Sequence, residues 1–224
     1  MRATSRLQIT HHESGSGKRS ARAALLEECR SRALALLEAN LGPLGIRAAG
    51  AGTRGRARAY DAVFARDAGV CALAMMRSGQ PPLLQGVRAS LTTLALHQAD
   101  NGQIPKFVRG RNHADFWYVG CIDATLWWLL ALAECERIAP ALDLKPGLET
   151  RVRRALTWLQ CQEHPRLQLL SQNEASDWAD IMPRSGFVLY TNALWYHIKR
   201  LYGLPGRAQT MHHFNHLFFP MGNS

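Results

Sequence analysis

Apolar residues recur three and four positions apart through most of this chain, and nowhere do they alternate over a useful length. That spacing gathers them on one face of a helix, whereas a half-buried strand needs a period of two. Leu25, Leu26, Cys29, Ala33, Leu36 and Leu37 predict a first helix from Ser20, stopping at Asn40 to Gly45. A second is predicted from Asp61, a suitable N-cap, through Val63, Phe64, Val70, Leu73 and Met76 to Ser78-Gly79. Others are predicted from Leu83 to Ala99, from Asp123 through Leu132, from Leu148 to Gln162, and from Val188 to Gly203 and Pro205. The fold class is therefore all-α. Two long connections remain, Asp100 to Ile122 and Glu163 to Phe187, and loops of that length in a compact domain usually carry function.

With 224 residues, 47% of them hydrophobic, the chain can bury a sizeable core, which excludes a disordered or collagen-like protein. The longest apolar run, within Ala124 to Ala133, is interrupted by Thr125 and flanked by Asp123 and Glu134, too short to span a bilayer. Near the start, Leu7 and Ile9 are followed at once by His11, His12 and Glu13, so no secretory signal is read and a cytoplasmic location is expected. Cys29, Cys71, Cys121, Cys135 and Cys161 are scattered, with no C-x-x-C pair, and predict reduced, mostly buried thiols.

The net charge is +10, and residues 1 to 58 hold eleven Lys and Arg against four Glu. Clustered positive charge can neutralise nucleic-acid phosphates, but an Arg-rich and Ala-rich composition accounts for this excess, so nucleic acid is not the expected partner. Residues 1 to 19 read as a flexible basic leader and 20 to 224 as the folded domain. Within the leader, Gly15-Ser-Gly-Lys18 is not a phosphate loop, because His12 occupies the first glycine position and Arg19 stands where Ser or Thr would bind magnesium. His212 and His216 share a helical face but lack a third ligand, so no metal is expected. No motif calls for a cofactor.

The chemistry-bearing residues concentrate in and beside the long loops. Gln103-Ile-Pro-Lys106, Asp115-Phe-Trp-Tyr through Asp123, and Glu174-Ala-Ser-Asp-Trp-Ala-Asp180 mix carboxylates with Trp and Tyr. Such a mixture suits carbohydrate, since aromatic faces stack on sugar rings, carboxylates accept hydroxyl hydrogen bonds, and a carboxylic acid can protonate a glycosidic oxygen. Arg66-Asp67 inside an apolar helix demands a matched ion pair or a ligand-facing ridge.

Tyr60-Asp-Ala-Val-Phe-Ala-Arg-Asp67 resembles a segment of the alkaline/neutral invertases and related six-hairpin glycosidases. Cys121-Ile-Asp-Ala-Thr-Leu-Trp-Trp128 is similar to a second segment, shared with the glucosidase domain of glycogen-debranching enzymes, and Gly186 to Tyr196 to a third. The three occur in the family's order and cover roughly residues 58 to 204.

The resemblance implies an (α/α)6 toroid, of which this chain would form about six of twelve helices, and inverting hydrolysis of α-glucosidic bonds or sucrose. It makes Asp123 the general acid, gives Arg66 and Asp67 sugar hydroxyls to hold, and leaves Trp117, Trp127, Trp128, Asp177, Trp178 and Asp180 to shape the pocket. Trp127 and Trp128 point about 100° apart on a helix, so one of them is core. Tyr190 stands where the relatives carry Glu, and no residue matches their catalytic base. The expected partners are therefore an oligosaccharide or polysaccharide and a complementary half or a second copy. The alternative is a non-catalytic carbohydrate-binding or truncated remnant.

Overall fold

The computed structural model describes residues 14–50, 52, 60–116, 121–179 and 181–219. The chain divides into two compact units, Met1–Leu36 and Leu37–Ser224. The first is occupied by helix α1 (Ser14–Ala39), which begins inside the segment read as a leader and carries exposed Leu25, Leu26 and Leu36. Short-range ion pairs, Glu27 with Arg30 and Glu28 with Arg32, run along its surface.

The second unit is mostly helical. Its helices are α2 (Ala65–Ser78), α3 (Pro81–Leu96), α4 (Ile122–Ile138), α5 (Glu149–Gln160), α6 (Leu189–Leu201) and α7 (Arg207–Phe218). They fall into successive hairpins, with α2 packed on α3, α4 on α5 and α6 on α7. The first helices of the hairpins are also neighbours, α2 against α4 and α4 against α6, so α4 lies at the centre. That position explains why α4 is apolar nearly all round, with Leu126, Trp128, Leu129 and Ala131 fully enclosed.

Local chemistry sets the helix limits. Gly79, with φ 68°, ends α2 in a left-handed turn, its N–H bonded to the Met76 carbonyl. Pro81 and Pro82 then open α3, where the missing N–H groups cost nothing. Gly69 lets α2 pack closely on α4, because a Cβ there would lie 2.9 Å from both the Cβ and the carbonyl oxygen of Trp127.

Two small antiparallel sheets complete the unit: β1 (Leu41–Gly42) with β2 (Gly45–Ile46), and a three-stranded sheet of β3 (Val63–Phe64), β4 (Phe107–Arg109) and β5 (His113–Asp115). Strands of two or three residues are too short for alternation to register in the sequence. They correct the predicted second helix, which starts at Ala65 because Val63 and Phe64 pair with Val108 and Phe107. Asp61 caps no helix and instead pairs with Arg109 at 3.0 Å.

The long loop after α5 is tied down by buried polar groups. The Asn192 side chain accepts from the Leu170 N–H at 2.7 Å and donates to the Leu170 and Val188 carbonyls, each at 3.0 Å. Buried Lys199 pairs with Glu163, which also accepts from the Trp195 indole, and donates to Thr210 at 3.0 Å. These contacts join the loop to α6 and α7. No helix among the described residues is long and apolar enough to cross a membrane.

Candidate functional site

Arg66, Asp123 and Tyr190 each stand second in their helix, in α2, α4 and α6 respectively. Because those helices are neighbours, the three side chains meet at one end of the bundle. The Arg66 guanidinium lies 3.0 Å from Asp123 Oδ2, and the Tyr190 hydroxyl donates to the same oxygen at 3.1 Å. Cys121 Sγ donates to Oδ1 at 3.3 Å. Outside this ring, Trp127 Nε1 donates to the Tyr190 oxygen at 2.7 Å.

The Asp123 side chain is 0% exposed and that of Arg66 25%, so the guanidinium forms the solvent side of the pair. Burial raises the Asp123 carboxyl above the ordinary carboxylate range, opposed by Arg66 and by the hydrogen bonds from Cys121 and Tyr190. Burial likewise pushes up the Cys121 thiol and the Tyr190 phenol, and the Asp123 carboxylate adds to both. Both groups therefore stay protonated and serve as donors.

Backbone contacts fix the frame around this cluster. The Ala65 N–H, at the start of α2, bonds to the Lys106 carbonyl at 2.9 Å, and the Ile104 N–H to Thr125 Oγ1 of α4 at 3.0 Å. From the second long loop, the Ser176 carbonyl accepts the Ile122 N–H at 2.7 Å. Both loops thus hold the N-terminal turn of α4 and, with it, Asp123.

No protein-family model matches the chain, and no curated protein matches it. The structure brings together Arg66, Trp127, Asp123 and Tyr190 from the predicted set and adds Cys121. Asp67, next to Arg66, is half-buried in the first turn of α2, where its charge suits the helix N-terminus. Of the adjacent tryptophans, Trp128 is the core residue, correcting its assignment to the pocket: it is fully buried and its indole donates to the Leu91 carbonyl at 3.0 Å.

Asp177 is buried, and its partners belong to its own loop. Its carboxylate accepts from Arg184 at 2.6 Å, from Gln172 at 2.9 Å and from the Ala179 N–H at 2.8 Å. Asp177 therefore organises its own loop through an Asx-type turn, in place of the pocket role expected of it. Trp178 is exposed, with the Arg184 guanidinium 5.5 Å from its ring centre. Trp117 and Asp180 lie outside the described residues.

The larger clefts lie elsewhere. One of about 460 Å³ is lined by Leu132, Val152, Leu156 and Tyr202, and one of about 420 Å³ by Met76, Pro81, Leu84 and Leu142. Neither touches Asp123. Both lie toward the far end of α4, and the first also has Glu136, Lys145, Glu149 and Arg153 on its lining. Sequence reasoning missed Cys121 as a donor and Ser176 as an anchor. The Cys121 partner, Asp123, lies only two residues along the chain, whereas Ser176 meets Ile122 solely through packing, so only the second lacks a local signal.

Proposed function

We propose that this chain is a glycosidase-type domain, half of an (α/α)6 toroid, acting on α-glucosidic bonds by inversion with Asp123 as general acid. One observation carries the reading: the second residues of three neighbouring helices, drawn from the three segments that resemble six-hairpin glycosidases, meet at a single carboxyl group. The packing of α4 against both α2 and α6, each of the three followed by its return helix, supports the toroid, whose inner ring has that arrangement.

A general acid must hold a proton near neutral pH, and burial of Asp123 favours its protonated form. Arg66 works against this while it faces the carboxylate. A sugar hydroxyl that draws the guanidinium away removes the opposing charge, so arrival of substrate raises the proton affinity of Asp123 further. Tyr190, fixed by Trp127, keeps the carboxyl oriented. The reading assigns no base to this chain; a complementary half, in the same or another polypeptide, would supply it together with the site for the attacking water.

A second reading, carbohydrate binding without turnover, is favoured by the complete enclosure of the Asp123 side chain. Glucose release from maltose, sucrose and a branched α-glucan, measured beside tryptophan-fluorescence titration, separates the two. Turnover abolished by Asp123→Asn supports hydrolysis. Binding without product in both proteins supports the second reading, and absence of binding as well as turnover refutes both.

A further inference from the structure

The three-stranded sheet has two unlike faces. Val63 and Val108, directly paired, point into the core at 2% and 0% exposure. The alternate positions Phe64, Phe107 and Asp115 form a row on the opposite face, joined by Arg109 and His113 two residues along their strands. On that outer side the rings make a continuous line. Tyr60 and Phe64 have centroids 5.8 Å apart, Phe64 and Phe107 4.9 Å, and Phe107 and His113 5.9 Å. The line runs from buried to open, since Phe64 is 7% exposed, Phe107 half-buried, and the ends, Tyr60 and His113, are exposed.

Cross-strand aromatic pairing accounts for the two inner rings, which stabilise the sheet. It does not account for the exposed rings at both ends of the line or for the ion pair Arg109–Asp61 on the same rim. The location adds to this, because Phe64 is the N-cap of α2 and Arg66 follows two residues later. The sheet therefore adjoins the solvent side of the Asp123 cluster.

We infer that the outer face of this sheet is a second carbohydrate-contact surface, which takes the part of a neutral oligosaccharide extending beyond the sugar held at Arg66. This rests on the carbohydrate reading proposed above. Exposed rings at the two ends offer stacking surfaces to successive sugars, and the Arg109–Asp61 rim offers hydrogen-bond partners to their hydroxyls. On the sheet itself Arg109 is paired with Asp61 and Asp115 stands on the same face, so the face lacks the net positive charge that a phosphate-bearing chain requires.

The test is calorimetric titration of the full chain with maltose and with maltoheptaose, comparing the wild type with Tyr60→Ala and His113→Ala. Both residues are exposed, so the variants keep the fold, and thermal unfolding followed by circular dichroism checks it. Each variant should weaken maltoheptaose binding about fivefold, the scale of one aromatic contact, while leaving maltose binding unchanged. Equal affinity for the two sugars, or variants that bind both as the wild type does, overturns this surface and leaves the Arg66–Asp123 site standing. No binding of either sugar overturns the surface together with the reading on which it rests.

Discussion

The Tyr190 hydroxyl donates a hydrogen bond to the Asp123 carboxylate across 67 residues of sequence, at 3.1 Å, while accepting one from the Trp127 indole at 2.7 Å. The phenol is thus a directional link between an indole that can only donate and a carboxylate that here only accepts. A glutamate at this position would put a second negative charge beside Asp123, so the phenol changes the electrostatics of the cluster as well as its shape.

Tyr190→Phe should remove both hydrogen bonds and leave the Trp127 N–H without its partner. The expected loss is about 1–2 kcal/mol of stability, with a change in tryptophan emission. Urea unfolding followed by fluorescence measures both. An unchanged midpoint and spectrum would mean that water replaces the phenol without cost.

Arg66→Met strips the buried carboxylate of its counter-ion and should cost about 3 kcal/mol near neutral pH. Burial already raises the folded-state pKa of Asp123, and loss of Arg66 raises it further. A carboxyl whose pKa is higher folded than unfolded stabilises the protein fully below the unfolded value, near 4, and that contribution is lost as pH rises through the folded value. The variant should therefore be least impaired in mild acid and most impaired at neutral pH. Asp123→Asn in the same background should flatten that dependence. Urea midpoints at several pH values decide it, and a deficit independent of pH would refute the account.

Gly69→Ala sets helix propensity against packing. Alanine is favoured in an exposed helix by up to about 1 kcal/mol, but here its Cβ would press on Trp127 backbone and Cβ at 2.9 Å. Overpacking of this kind costs about 1–3 kcal/mol, so a net destabilisation is expected, together with a disturbed Trp127–Tyr190 contact. A thermal midpoint above the wild type's would show that α2 and α4 separate easily.

Thiol labelling should follow burial. Cys29 and Cys161 are exposed, whereas Cys121 and Cys135 are buried and Cys71 is half-buried. Burial pushes up the thiols of Cys71, Cys121 and Cys135, which keeps them protonated and poorly nucleophilic. Under native conditions Cys29 and Cys161 should react with Ellman's reagent first, and Cys121 and Cys135 only on unfolding. Early modification of Cys121, read by peptide mapping, would show that the Asp123 cluster opens in solution.

The hairpin helices α2 to α6 are legible in the sequence because a 3.6-residue period is a local property, whereas α7 lies outside the predicted helices. Met76, Leu126, Leu129 and Ile198 announce their buried faces without reference to any partner, although Val70, placed on the same face, is exposed. The helix end at Gly79 is legible for the same reason, while the start of α3 at Pro81 precedes the predicted Leu83. What the periodicity could not give is the short sheet, since two-residue strands exist only through pairing between Val63 and Val108, far apart in the chain.

The site divides along the same line. Asp123, Arg66 and Trp127 could be singled out by type and resemblance, but that Arg66 covers Asp123, that Trp128 rather than Trp127 is core, and that Asp177 is consumed by Arg184 and Gln172 were decided by packing. Sequence determines periodicity, turn chemistry and which side chains can ionise. Tertiary structure decides which of them are desolvated and what stands opposite, because burial and hydrogen-bond partners come from other elements, and those two conditions set the chemistry of a carboxyl group.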